Sequence, residues 1–282
     1  MEDKTVFIIN KAIKLFAKKG FSSTSVQEIA NECDISKGAF YLHFKSKDAL
    51  LFEIFNHYSK EIQYKADEIQ AMGLDPRTKF TKQLIVTYQE IIKHREFIIM
   101  QIREQAIPFN KDIEEFIQHM RFNSHLFYKR NLTAIYGKDI DPYIWEVTVL
   151  MQGMFKTYLD LIIIEDVQFD IEELCEAILK RTDFLVEGFK KSTDQPVITD
   201  RLMSEIIPEN YYDNQLNEIV QSLKGKQTQN TESEIDVTIS VLLEEIERQD
   251  PRPAVIKGML TNLEGLDIFK GVAGQIRTFF QL

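Results

Sequence analysis

The chain has 282 residues, of which 44% are hydrophobic and 28% charged, with only 11 Gly and 7 Pro; this is the composition of a folded protein and excludes a disordered or fibrous one. Its cysteines, Cys33 and Cys175, stand far apart with no C-x-x-C spacing, and its longest apolar runs fall far short of the ~18 residues of a membrane span, so we expect a cytoplasmic protein with no disulfide framework and no membrane contact. The formal net charge of −10 is unevenly spread: residues 1–50 hold eight lysines against six acids, which leaves +2 there and −12 on the remainder, a split compatible with nucleic-acid binding through the head alone.

Periodicity is helical almost throughout, and the expected fold class is all-α. From Lys4 to Lys19 the side chains of Ile9, Ala12, Ile13, Phe16 and Ala17 share one face and the lysines the other, with Gly20 as the stop. Ser25-Val-Gln-Glu28 has capping-box spacing and opens a second helix with Val26, Ile29 and Ala30 inward. Asn31 to Ile35 breaks it, Ser36 caps the next, and Lys37–Lys45 forms a short third helix. Ser46-Lys-Asp starts a fourth that runs to about Met72, closed by Gly73 to Pro76. Further helices are predicted at about 77–93, 95–107, 110–136, 142–164 and 170–191. Beyond 191 lie a polar low-complexity loop at 224–232 and amphipathic patterns at 233–248, 254–264 and 267–281. The organisation read from this is a head at 1–50, a helical body at 51–191 and an added C-terminal helical region at 192–282.

Drawn as a wheel with Phe40 and Phe44 inward, the third helix points Gly38, Leu42 and Lys45 away from the core, with Ala39 beside them and Tyr41 and His43 on opposite flanks. A Gly-Ala-Leu face suits no solvent role, and it fits a helix that a DNA major groove approaches closely. Leu42 would meet a thymine methyl, and Tyr41 and His43 would reach phosphates. Thr24, Ser25 and Lys47 stand at helix N-termini, where the dipole favours phosphate; taken singly, Thr24, Ser25 and Ser46 read equally well as helix caps, and Tyr41 and His43 as packing residues.

The stretches Gly20-Phe-Ser-Ser-Thr-Ser-Val-Gln-Glu-Ile-Ala30 and Ile35-Ser-Lys-Gly-Ala-Phe-Tyr-Leu-His-Phe-Lys-Ser-Lys-Asp-Ala-Leu50 resemble the DNA-binding signature of the TetR family of bacterial transcriptional regulators. The resemblance covers about residues 5–55. It implies a helix-turn-helix that binds a double-stranded operator with Thr24, Ser25, Ser36, Lys37, Gly38, Ala39, Tyr41, Leu42, His43 and Lys47. Asp34 stands where the family's turn usually has Gly; aspartate tolerates the left-handed conformation but adds a negative charge beside DNA. Leu42 departs from the aromatic or polar residue frequent there.

The same resemblance implies that residues about 95–160 line a pocket for a small apolar or lipophilic effector and that the last two helices of the body form a homodimer. Phe97, Met120, Phe127, Tyr128, Trp145, Met151 and Phe155 are the candidate pocket residues, each of which also reads as ordinary core. Glu104, Glu114, Glu115 and Asp160 could hold a lipophilic cation or form a solvated face. The stripes Ile144, Val147, Leu150, Met151, Met154 and Ile171, Leu174, Ile178, Leu185 fit a helix pair that meets its twin or packs internally. His119 and His125 are six apart and off one helical face, so no metal and no cofactor is expected. Paired acids, nucleophile–base sets and phosphate loops are missing too, which argues against an enzyme. The function expected is a repressor released by its effector, with an efflux transporter as its target; the alternative is a DNA-bound assembly factor without promoter control.

Overall fold

The computed structural model describes residues 4–103, 111–208, 211–227, 233–248, 251–263, 266–280 and 282, and all regular structure among them is helical. The first nine helices are α1 (Lys4–Lys19), α2 (Val26–Glu32), α3 (Lys37–His43), α4 (Lys47–Ala71), α5 (Pro76–Lys93), α6 (Arg95–Arg103), α7 (Lys111–Tyr136), α8 (Ile144–Ile163) and α9 (Ile171–Lys191), with a 3-10 turn at Lys138–Tyr143 before α8. Five more follow: α10 (Asp200–Ile206), α11 (Tyr211–Lys224), α12 (Glu234–Ile246), α13 (Pro253–Leu263) and α14 (Lys270–Phe280). None of the described helices is long and apolar enough to cross a membrane.

Most boundaries follow local chemistry. Ser25, Ser36, Asp170 and Ser233 each accept a hydrogen bond from the backbone N–H three residues on, which satisfies a donor that a helix start leaves without an intrahelical partner. Two readings change. The third helix ends at His43 instead of Lys45, because Phe44 is extended (φ −135°, ψ 125°), and that conformation still buries its ring. Both α10 and α11 were absent from the predicted elements; the Thr199 hydroxyl caps α10 by accepting from the Leu202 N–H at 3.3 Å.

The helices form two compact units that do not follow chain order: Met1–Glu61 with Leu84–Val197, and Ile62–Gln83 with Ile198–Leu282. In the first, Ile8, Phe16, Phe21, Ile29, Phe40, Phe44 and Leu50 make a core that Phe97 of α6 and Ile113 of α7 join, and α1 packs on α6. Along α7, α8 and α9 the interior holds Tyr88, Tyr128, Met151, Phe155 and Ile178. The Tyr88 and Phe155 rings lie 4.0 Å apart, and the Tyr88 hydroxyl donates to the Phe155 carbonyl at 2.8 Å. Of the stripe proposed to meet a twin, Ile144, Val147, Met151, Leu174 and Ile178 are buried within the chain, so their apolar area is already covered without a partner, whereas Leu150 is exposed, as is Phe184 of α9, which the stripe did not include.

The second unit has its own core, with Leu223 of α11, Leu242 of α12, Leu260 of α13 and Ile276 of α14 fully buried. The tip of the α4–α5 hairpin belongs to it: Gln83 donates to the Ala66 carbonyl at 3.1 Å, and a Cβ added at Gly274 would meet the Asp67 carboxylate, which would have to turn aside. The buried Glu245 carboxylate accepts from the backbone N–H of Arg252 at 2.6 Å and pairs with its guanidinium. Those bonds hold its carboxyl down to about 2 from the ordinary 4.5. A depressed carboxyl stabilises the fold above its unfolded pKa and loses that contribution as pH falls toward the folded one. The second unit is therefore expected to weaken between about pH 4.5 and 2, and Arg252→Met to destabilise it at pH 7 and flatten that acid-side dependence, as measured by thermal melts across pH.

Candidate nucleic-acid interface

The turn between α2 and α3 closes on backbone hydrogen bonds. Asp34 N–H donates to the Asn31 carbonyl at 3.2 Å and Ile35 N–H to that of Ala30 at 3.0 Å, with Asp34 itself at φ 53°; this is the Schellman ending that glycine usually serves, here made by an aspartate in the left-handed region. At the start of α2, Ser25 Oγ accepts from the Glu28 N–H at 3.2 Å and Glu28 Oε2 accepts from the Ser25 N–H at 2.8 Å, the reciprocal capping box read from the sequence. Lys19 adds an ion pair to Glu28 at 2.7 Å, and this bond, with the Ser25 bonds, draws the Glu28 carboxyl down to about 2.

The α3 surface has the orientation the wheel gives. Phe40 and Phe44 are buried with their ring centroids 5.6 Å apart, while Lys37, Gly38, Tyr41, Leu42 and His43 are exposed and Ala39 half-buried. Leu42 is 86% exposed. At Gly38 an added Cβ would meet only Ser36 Oγ, at an ordinary 3.7 Å. Nothing among the described residues therefore calls for glycine there. Ser36 Oγ itself accepts from the Ala39 N–H at 3.0 Å, and the His43 ring hydrogen-bonds Thr5 at 3.3 Å, which ties the end of α3 to the start of α1.

Two of the residues assigned to phosphate are placed differently. Thr24 is 1% exposed, and its hydroxyl donates to the Gly20 carbonyl at 2.7 Å. The Lys47 ammonium donates to the carbonyls of Phe21 at 2.7 Å and Thr24 at 2.8 Å and stands 4.4 Å from the centre of the Phe21 ring. Both side chains thus fix the α1–α2 loop against the start of α4. Ser25 remains exposed at the N-terminus of α2.

The profile of the bacterial regulatory proteins of the tetR family matches residues 8–54, α1 through the first turns of α4. Over the whole chain, the HTH-type transcriptional regulator YuxN of Bacillus subtilis (strain 168) is 36% identical across 283 residues, 98% of this chain and 97% of that one. This chain belongs to the TetR family. As a TetR-family protein it is a transcriptional regulator that binds DNA through its helix-turn-helix, and not an enzyme. Part of the chain is also similar to the HTH-type transcriptional repressor KstR2 of Rhodococcus jostii (strain RHA1), 33% identical over 84 residues, which are 30% of this chain and 41% of that one. Among solved structures, a transcriptional regulator from Pseudomonas aeruginosa PAO1 shares the fold with a TM-score of 0.57 at 13% identity, over 66% of this TetR-family chain and 92% of the other.

The candidate effector residues are dispersed. Tyr128, Trp145, Met151 and Phe155 are buried, with the Tyr128 and Phe155 rings 6.2 Å apart. Phe127 lies half-buried against Tyr128, and Lys129 Nζ sits 4.2 Å from the centre of the Trp145 ring. Met120 faces outward. Glu115 and Asp160 pair with Lys111 and Lys156 on exposed helix surface, Glu114 is exposed, and Glu104 lies outside the described residues. Phe97 alone of the set borders the cleft found near the head, about 510 Å³, which Phe7, Lys11, Lys14, Tyr58, Lys93 and His94 also line.

Sequence reasoning tested only His119 and His125 for metal spacing and passed over His57 and His94. His57 stands i,i+4 to Glu61 on α4, and Glu90 of α5 stands i,i+4 to His94 just past its end. The signal was present in each helix, but 29 residues separate Glu61 from Glu90, and only packing brings them together. The His94 ring stacks on Tyr58 with 3.7 Å between centroids, and burial pushes its pKa below the ordinary value.

The placement of Lys47 gives the prediction for this site. Lys47→Met keeps the apolar stem and removes the charge, so the Phe21 and Thr24 carbonyls lose their donor. We expect the head to lose about 1–3 kcal/mol of stability, seen as a lower melting midpoint. The slope of DNA affinity against salt, measured below that midpoint, should stay as in the wild type, as expected for an ammonium held by the loop carbonyls.

Proposed function

We propose that the protein is a homodimeric repressor whose α3 enters the major groove of a two-fold operator and whose hold on DNA is released by a small effector with an apolar body. The observation that carries the DNA part is the α3 face: an exposed leucine beside a glycine that no contact within the chain requires. An apolar side chain in water is explained by a thymine methyl, and a missing side chain by the approach of a groove wall. Lys37, Tyr41 and His43 rim this face and would meet bases or phosphate oxygens, and Ser25 offers the exposed N-terminus of α2 to a phosphate. The similarity of part of the chain to a repressor supports the sign.

Release requires that an effector bind one arrangement of the head better than another. The cleft borders α1, α4 and α6, and its aromatic wall of Phe7, Tyr58 and Phe97 would take an apolar body; Phe97 is also part of the head's own core. Large apolar effectors are typical efflux cargo, and a transporter gene beside the operator is the target this reading favours. One short helix touches only a few base pairs, so specificity calls for two heads, and the exposed Leu150 of α8 and Phe184 of α9 offer an apolar face for the twin.

Gly38→Leu should abolish retardation of the upstream DNA while leaving far-ultraviolet circular dichroism and sedimentation unchanged; retained binding would show that α3 does not face the groove. Leu150→Glu with Phe184→Glu should convert the dimer to monomers in sedimentation velocity and weaken operator binding by at least about tenfold, with non-specific binding much less affected. An unchanged dimer moves the interface elsewhere.

A further inference from the structure

Between α4 and the end of α5, and outside the helix-turn-helix, two carboxylates and an imidazole converge. One coordinating atom each from Glu61, Glu90 and His94 lies within 4.8 Å of the other two. His94 Nε2 is 3.8 Å from Glu61 Oε2, and His57 Nε2 is 3.8 Å from the other oxygen, Glu61 Oε1. Glu90 is only 6% exposed. Lys93 reaches it from the surface at 3.4 Å, which offsets part of the charge without entering the cluster. His94 Nε2 is buried and has no hydrogen-bond partner. A buried ring nitrogen without a partner, turned toward a carboxylate just beyond hydrogen-bond reach, is costly as it stands. A cation between the two groups would remove that cost.

We propose that Glu61, Glu90 and His94 bind one divalent transition-metal ion that fastens α4 to the corner between α5 and α6. The donor set is two hard oxygens and one imidazole nitrogen, which suits zinc, manganese, iron or nickel better than calcium or magnesium. Two carboxylates balance a charge of +2. Ligands at about 2.0–2.2 Å from a tetrahedral ion stand roughly 3.3–3.6 Å apart, so the three groups need to close by about an ångström, within the reach of side-chain rotation. His57, one turn before Glu61, is placed to supply a fourth donor. Tyr58, stacked on His94, fixes the imidazole plane in the way that neighbouring groups orient metal-bound histidines. Because Tyr58 packs against the same core as Phe97 and the head, an ion here sets how firmly the start of α4 is held against α6. The influence on operator binding rests on the repressor reading above; the ion site itself does not.

The test uses the full-length protein after chelation and dialysis, titrated with Co²⁺ as a coloured probe and then with Zn²⁺. One Co²⁺ per chain is expected, with visible d–d bands that Zn²⁺ displaces and a higher melting midpoint. Glu61→Gln, at a half-exposed position, and His94→Gln should each weaken binding at least about tenfold while the chelated variants keep the wild-type dichroism spectrum. Glu90→Gln should do the same if it folds, and the other two decide the matter if it does not. Absence of bands, or binding that survives in Glu61→Gln and His94→Gln, overturns the site, and so does binding lost instead when His119 and His125 are replaced. Retardation of upstream DNA, run in parallel on the chelated and on the Zn²⁺-loaded protein, separates the two claims, absence of retardation meaning absence in both forms. Metal binding without retardation sinks the repressor reading and leaves the ion site standing, and retardation without metal binding does the reverse.

Discussion

One ammonium group closes the head. Lys47, at the first turn of α4, points its charge into the loop between α1 and α2, where the carbonyls of Phe21 and Thr24 and the face of the Phe21 ring surround it. A loop that ends one helix and starts another carries carbonyls with no ladder to join, and burying them without donors is costly. With Lys47 in place the loop can be buried, Phe21 can stack edge-on to Phe16 at 5.1 Å, and α2 begins at a fixed point. The position of α3 follows, because the Schellman ending of α2 and the Ser36 cap leave the turn little freedom, and the Phe40–Phe44 pair fills the remaining core. The outward face of α3 is free to be small and apolar because none of its residues is needed to hold the helix.

That hierarchy explains what could be read from the sequence. Caps, stops and apolar stripes are local, so α1 to α9, the Ser25–Glu28 box and the direction of Gly38 and Leu42 were legible from spacing alone. Thr24 and Lys47 illustrate the limit. A threonine before a helix and a lysine at the next helix start look alike whether they face solvent phosphate or a loop folded back from 23 residues away, and only the tertiary path decides. The short α10 carries too few residues for its period to stand out, and α11 runs into the polar stretch at 224–232, which hid its end. The buried set Tyr128, Trp145, Met151 and Phe155 was legible as large and apolar, but which large residues face a void and which face each other depends on neighbouring helices. The Glu61–Glu90–His94 cluster was out of reach for the same reason.

The division of the chain into two units also bears on how it is made. Residues 62–83, with Ala66, Ile69 and Phe80 buried, belong with the unit that begins again at Ile198, so roughly 115 residues separate the two parts. At ~5–20 residues per second of synthesis, the hairpin tip is made about 6 to 23 seconds before the first of its partner residues. During that interval the apolar side chains of the tip have no final cover. Such a surface invites a chaperone or a neighbouring nascent chain, and the charged and polar residues interleaved there, Lys65, Asp67, Glu68, Arg77 and Lys79, are the chain's own defence until the C-terminal helices arrive.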